Sequence, residues 1–291
     1  MKASTRTQIQ IQLAGTPVLL TLHHPQTPAY FRKFLLAQEA DEPLPVMLDE
    51  DGISLIERDY GAGQFTPLTE FETLVISVSD ALMRRRRAIF HGVAFRWKDR
   101  AWIFAAPSGV GKTTQYRNWK KLWGDEVEII CGDKPVLQFG SSNVRPVSLS
   151  GSSNVRPVSL SGSSNALSVS LSGSSNVLPV QLSDTAHNIL VHPSPWPGKE
   201  GYAGTRAAPL AGIICLEQGE RNAIRPMTRA EAVAPVFVQW FTFAKTEEQI
   251  NLLCDLEEEL LETVPVWKLT NVGTPESALL TRKVLEAYLG E

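Results

Sequence analysis

The chain has 291 residues, 43% of them hydrophobic and 20% charged, with a formal net charge of −3. That length and apolar content suffice for one large domain or two modest ones, and the charge balance offers no overall attraction for nucleic acid or an anionic membrane surface. Cys131, Cys215 and Cys254 lie far apart in the apolar runs EIICGD, GIICLEQ and NLLCDLE, which predicts buried thiols rather than a disulfide framework.

No segment reaches the roughly 18 uninterrupted apolar residues of a membrane span, and the opening MKASTRTQIQIQ lacks the apolar centre of a secretory signal. A cytoplasmic protein that binds neither nucleic acid nor membrane is expected. In chain order, TQIQIQLAGTPVLLTLHH alternates apolar and polar residues around a Gly-Thr-Pro punctuation and predicts a strand pair. FRKFLLAQ has a helical pattern, Asp49 to Gly63 is acidic and turn-rich, and FETLVISVSDALMRRRR returns to a helical period. The basic run Arg84 to Arg87 is expected to be a solvated helix end. Residues 1–87 are thus expected to form an N-terminal accessory α/β region, and 88–291 the principal domain.

That domain opens with IFHGVAFRW, one apolar strand, the polar turn Lys98, Asp99, Arg100, and the second strand AWIFAA. After a glycine-containing loop, TTQYRNWKKLW puts Tyr116, Trp119 and Trp123 on one helical face, an aromatic stripe expected to be core, with Gly124 as its stop. Val127 to Cys131 follows as a buried strand ending at Gly132 and Asp133. LAGIICLEQ and VPVWKLT predict further strands; TRAEAVAPVFVQWF, EEQINLLCDLEEELL and PESALLTRKVLEAYL carry helical periods, with Thr228 and Thr274 as N-caps. Strand, loop, helix, strand is an α/β signature.

Residues 106–113, APSGVGKT, fit the Walker A pattern with Ala106 in the place of the first glycine. Gly109 and Gly111 permit backbone angles closed to other residues, so amide N–H groups turn inward around phosphate oxygens. Ser108, Gly109, Val110, Gly111, Lys112, Thr113 and Thr114 are therefore the candidate ATP-binding residues. Lys112 brings a point charge to the β and γ phosphates, and the Thr113 hydroxyl is placed for Mg²⁺. Asp133, ending the next strand, either holds the metal, accepts a proton from an attacking hydroxyl, or is simply a turn residue in Gly-Asp-Lys-Pro.

The succession of His91-Gly92-Val93, a hairpin, PSGVGKT and a strand ending in an acidic residue resembles the HPr kinase group of P-loop proteins, structurally related to ATP-dependent phosphoenolpyruvate carboxykinases. It is closest to small bacterial relatives that include kinases of lasso-peptide precursors. IFAAPSGVGKTT, CGDKPVL, HPSPWPGKEG and APLAGIICLEQGERNAI carry the likeness, over about 88–139 and 185–291. The resemblance implies an α/β P-loop kinase core with a mixed sheet, and phosphoryl transfer from ATP, with Mg²⁺, to a hydroxyl acceptor. That acceptor is a serine of a peptide or protein, with a small molecule as the alternative; a nucleotide-binding regulatory protein with little transferase activity is the rival class. It assigns catalysis to Lys112, Asp133 and His91, with His91 either near the transferred phosphate or a core histidine. Trp196, Gly198 and Lys199 are either lining for the nucleotide or acceptor side or the packing of a Pro-rich turn. Homo-oligomers are common in the parent family. Relatives carry paired Asp residues where this chain has Gly132 and Asp133, and the Glu-x-Arg-Gly loop of true HPr kinases is absent, which argues against HPr as the substrate.

Between Asp133 and the SPWPGKEG loop, Ser141 to Asp184 holds four near-copies of an eleven-residue unit, SSNVRPVSLSG in the first two. We read 140–184 as a tandem expansion of a surface hairpin, tolerable because loop closure costs only about 0.6 kcal/mol per doubling of length. A sharper reading makes Ser148 and Ser159 acceptors in cis.

Overall fold

The computed structural model describes residues 6–140 and 189–290. The repeat, with Ser148 and Ser159, lies outside the described residues.

The chain begins with the hairpin β1 (Thr7–Leu13) and β2 (Thr16–Leu22), joined through Ala14 and Gly15, both at positive φ as a two-residue hairpin turn requires. β3 (Leu44–Met47) adds to β2 in parallel, completing a three-stranded sheet. The helical pattern at FRKFLLAQ corresponds to a 3-10 helix over Thr27–Phe34 rather than an α-helix. Continuation is blocked because Leu35 and Leu36 turn to β1, where the Leu36 N–H donates to the Gln10 carbonyl at 3.0 Å. The stretch expected to be turns forms helix α1 (Glu50–Tyr60). Asp49 caps it by accepting the Gly52 N–H at 2.9 Å, Glu50 and Asp51 complement the N-terminal dipole, and Gly61 ends it. Helix α2 (Pro67–Met83) starts at a Thr66–Thr69 capping box with proline at its first turn. Its Phe71, Leu74, Val75, Val78 and Leu82 cover the small sheet.

Arg84 to Arg87 form more than a solvated helix end. Arg84 pairs with Glu248, Arg86 with Glu259, and Arg87 donates to the Ala14 carbonyl at 2.6 Å. The divide expected at 87/88 falls inside β4 (Arg87–Ile89), and Ile89, Val136 and Trp196 share one apolar cluster with the residues that precede it.

The single strand expected over IFHGVAFRW is two, β4 and β5 (Gly92–Trp97), with a break at Phe90 and His91. β5 turns through Lys98 and Asp99, both at positive φ, into β6 (Arg100–Ala105). Helix α3 (Lys112–Trp123) and β7 (Glu128–Cys131) follow. Next come β8 (Val136–Phe139), β9 (Ile189–His192), β10 (Ala208–Gln218) and β11 (Ala223–Pro226). The chain ends with α4 (Arg229–Phe237), α5 (Glu247–Thr263), β12 (Val266–Asn271) and α6 (Pro275–Leu289).

β6, β10 and β12 are parallel, β5 runs against β6, and β7 runs against β5. The fold is therefore mixed α/β with mixed sheets. Successive residues of β6 serve opposite faces. Ala101, Ile103 and Ala105 join a cluster with Leu253, Leu256 and Leu260 of α5, while Trp102 and Phe104 join Trp119 of α3 and Leu285 of α6. The aromatic stripe is core as expected, with Tyr116 and Trp119 buried and Trp123 half-buried. Cys131 and Cys215 are buried thiols, but Cys254 is exposed, because α5 turns it away from the packed Leu253 and Leu256. Among the described residues no helix is long and apolar enough to cross a membrane.

Candidate functional site

β6 is buried from Ala101 to Ala105 and delivers the chain into 106–111 at the carboxyl edge of the parallel strands, where ligands bind open α/β sheets. Gly109 and Gly111 have φ of 84° and 115°, left-handed values that bend the loop back on itself. Among the described residues, the N–H groups of Ser108 to Gly111 donate to no backbone carbonyl. Helix α3 starts directly after, so its N-terminal dipole faces the same space. Ser108, Gly109 and Thr114 are exposed, Thr113 is half-buried, and Val110 is tucked partly against the α3 aromatic cluster.

Lys112 is only 7% exposed and donates from Nζ to the carbonyls of Ala106 at 2.7 Å and Pro107 at 3.2 Å. The buried ammonium is thus satisfied by carbonyls of its own loop, as a buried charge requires. Burial lowers its pKa and Lys134 pushes the same way, while Asp133 opposes both.

The facing wall is built at two kinks. β4 pairs with β8 at one end of a nine-stranded sheet and β5 with β7 at the other, so the antiparallel ribbon is interrupted on both partners, at Phe90–His91 and at Gly132–Pro135. Phe90 N–H to the Pro135 carbonyl at 3.0 Å and Gly92 N–H to the Asp133 carbonyl at 2.8 Å hold the bend. Because Gly92 is in register with Ala105, His91 stands beside the first residues of the loop. His91 Nε2 lies 3.3 Å from Asp133 Oδ1, and Lys134 Nζ donates to Asp133 Oδ2. Burial raises the Asp133 pKa, but the His91 hydrogen bond and the Lys134 charge outweigh it and bring it down to about 2. Asp133 is thus a firmly ionised carboxylate at neutral pH.

The loop after β9 is divided. Trp196, expected as a candidate lining residue, is 3% exposed, stacks on Phe71 at 5.8 Å and donates from Nε1 to the Phe71 carbonyl at 2.8 Å. It belongs to the apolar cluster over the small sheet, in keeping with the packing alternative of its two readings. Gly198 does reach the site: a Cβ there would sit 2.8 Å from the Asp133 Cβ. Lys199 is exposed on the same turn. Beyond it Glu200 pairs with Arg117 of α3, and the Tyr202 ring meets Tyr116 edge-on at 5.5 Å. Tyr202 also explains Gly132. The Gly132 N–H donates to the Tyr202 carbonyl at 2.8 Å, and a Cβ on Gly132 would lie 2.6 Å from the Pro197 carbonyl oxygen and 2.9 Å from the Tyr202 Cβ. Position 132 faces this loop, so a second carboxylate has no room there.

Sequence reasoning missed two parts of the wall. Lys134 was visible beside Asp133, but nothing in GDKP marked it as a partner. Residues 239–241 were expected to continue the helix from Thr228; α4 stops at Phe237 because strand pairing takes the next backbone groups. His91 N–H donates to the Gln239 carbonyl at 2.7 Å and Phe241 N–H to the Ile89 carbonyl at 2.9 Å, and Lys134 Nζ lies 4.9 Å from the Phe241 ring centroid.

Chemically, the site joins free amides and a buried ammonium on one side to an ionised carboxylate, a histidine and a second ammonium on the other. Such a set suits a polyanion with a reacting end. No family model matches the chain. No curated protein matches it either.

Proposed function

We propose that the chain is an ATP- and Mg²⁺-dependent kinase on a P-loop core of the HPr kinase and phosphoenolpyruvate carboxykinase type, transferring the γ-phosphoryl group to a hydroxyl, a serine of a peptide or protein. The observation that carries this reading is a register: Gly92 pairs with Ala105, which sets His91, itself 3.3 Å from Asp133, beside the start of the loop that holds buried Lys112. The unpaired amides and the left-handed glycines fit a phosphate chain, and the Thr113 hydroxyl with the Asp133 carboxylate fits a hard cation that also takes phosphate oxygens. Bound Mg²⁺ would neutralise charge building on the phosphoryl oxygens.

In this reading the amides of 108–111 hold phosphate oxygens, and Lys112 turns from the Ala106 and Pro107 carbonyls to the β and γ positions. The acceptor oxygen forms a bond to phosphorus as the bridging bond to the β-phosphate breaks, and ADP leaves. Asp133, with a pKa of about 2, is a poor proton acceptor and a good ligand or orienting charge. Its hydrogen bond leaves His91 beside the loop as the group to receive or share the hydroxyl proton. The loose transition state of phosphoryl transfer makes small demands on a base.

Calorimetry with ATP and Mg²⁺, followed by γ-labelled ATP and a serine-peptide pool, tests the proposal. Lys112→Ala should weaken binding at least about tenfold, since it removes the charge on the terminal phosphates. Absence of ATP binding by the unaltered chain at millimolar nucleotide overturns the reading. A second reading, a nucleotide-binding regulator with little transferase activity, is favoured by the sealed position 132, which leaves Asp133 as the strand-end carboxylate. It predicts ATP binding without label transfer.

A further inference from the structure

A cleft of about 480 Å³ opens between α1 and α2, bounded on a third side by Phe243 and Lys245. Its walls are partly apolar, from Leu48, Leu55, Ile76 and Phe243. The Phe243 side is 47% exposed, a large ring at the mouth of the cleft. Its charge is uneven. Lys245 Nζ pairs with Asp51 at 2.6 Å, and Arg58 turns away to its neighbour Asp59 at 2.7 Å. Asp49 and Asp80 form no salt bridge among the described residues, although the Lys245 charge, committed to Asp51, also acts on Asp80. Asp80 Oδ1 accepts from the Thr242 hydroxyl and from the Phe243 N–H at 3.3 Å, which fixes the carboxylate while leaving Oδ2 for another donor. A half-buried carboxylate with a spare oxygen above an apolar wall complements a cation on an aliphatic stem.

The cleft and the P-loop site share a wall. Residues 239–245 run from the Gln239 carbonyl on His91, past Phe241 under Lys134, to Thr242 and Phe243 on Asp80. Phe241 and Phe243 are two residues apart, so at 3.8 Å per Cα step the two sites border each other within about 8 Å of chain.

We propose that this cleft docks an arginine or lysine side chain of the peptide acceptor, with Asp80 receiving the cation and Ile76 and Phe243 packing its stem. The proposal rests on the kinase reading for the identity of the peptide as acceptor. A basic residue held here presents its neighbouring hydroxyls to the Asp133 side of the wall, so substrate choice would be set a few residues from the reacting serine.

The test uses the full chain, ¹⁵N-labelled, titrated with the blocked dipeptide amide Ac-Leu-Arg-NH₂ and its neutral counterpart Ac-Leu-Gln-NH₂. Saturable amide shifts at Ile76 and Phe243 are expected with the arginine peptide, and binding of the glutamine peptide should be at least about tenfold weaker. Asp80→Asn, which retains an acceptor for Thr242 and Phe243, should erase that preference. Ser77→Arg, placing a guanidinium one helical turn from Asp80, should block both peptides. Lys112→Ala should leave dipeptide binding unchanged while ATP binding falls, which separates the two hypotheses. Equal affinity for the two peptides, or shifts confined to other surfaces, overturns the docking site even if ATP binds. Loss of the ATP reading with arginine-selective shifts intact would overturn only the acceptor role.

Discussion

His91 Nε2 and Asp133 Oδ1 meet at 3.3 Å because the two strands that carry them bend at the same place. Neither residue lies within a regular strand. Each lies where its strand is interrupted, so the pair depends on the ribbon keeping its register. Asp133→Asn keeps the shape and removes the charge that holds Lys134 and orients His91. Transfer is expected to fall about 100-fold or more, the scale of losing one positioned electrostatic group, with ATP affinity changing far less. Single-turnover measurements with labelled ATP decide it; full transfer by the variant would remove Asp133 from the proposed machinery.

Gly132 supplies a stability prediction. A methyl group there meets the backbone oxygens of Pro197 and Tyr202 at 2.6 and 3.1 Å, atoms that cannot swing aside as a side-chain tip does. Gly132→Ala should therefore cost about 1–3 kcal/mol, as overpacking does. A urea midpoint that drops with the slope unchanged is the expected signature. Gly132→Asp should be at least as damaging and should gain no Mg²⁺ affinity. A neutral Gly132→Ala would mean that the 197–203 loop does not cover this position.

The glycine-containing loop at 106–111, its flanking strand and helix, and the aromatic stripe of α3 could be read from the sequence because local chemistry dictates them: glycines for the bend, a 3.6-residue period for the helix. The hairpin turn at Lys98 and Asp99 was legible for the same reason. What escaped was set by distant partners. α1 is the exception, since its cap, Asp49, is local but sits inside an acidic, turn-like stretch. The end of α4 depends on the backbone of Ile89 and His91, far away in sequence. Trp196 carries a motif-like Pro-Trp-Pro context, yet its place is decided by Phe71 and Phe31. Gly132 read as a missing carboxylate until the covering loop gave it a steric reason.

Trp196→Phe tests the packing role of that ring. The variant loses the Nε1 hydrogen bond to the Phe71 carbonyl and part of a well-packed ring, while the stacked contact with Phe71 survives in reduced form. A loss of about 1–3 kcal/mol is expected from the bond and the space together. ATP affinity measured on the folded variant should match the parent. Weakened nucleotide binding at unchanged stability would return Trp196 to the site.

Glu257 of α5 governs the last prediction. It is 5% exposed; Oε2 accepts the Trp240 Nε1–H, and Oε1 is buried with no hydrogen-bond partner among the described residues. Burial raises its pKa from 4.5 to about 7, against the pull of the Trp240 hydrogen bond. The same surroundings, with the Glu257 charge nearby, push the Cys215 thiol up to about 12. Between the unfolded value of 4.5 and the folded value of about 7 the native chain binds the extra proton. This group's contribution to stability is therefore greatest below about pH 4.5, falls as pH rises to about 7, and is flat above. The full penalty is up to about 3 kcal/mol. Glu257→Gln keeps an acceptor for Trp240 without the charge. It should match the parent near pH 4.5 and exceed it in stability at pH 8, with the difference growing across the interval. Chemical denaturation of both proteins at a series of pH values measures that difference, and parallel curves would show that Glu257 does not change its proton occupancy on unfolding. Because Trp240 pairs with Phe90 next to His91 and its ring meets that phenyl edge-on at 5.1 Å, the variant also relieves a buried charge behind the site wall.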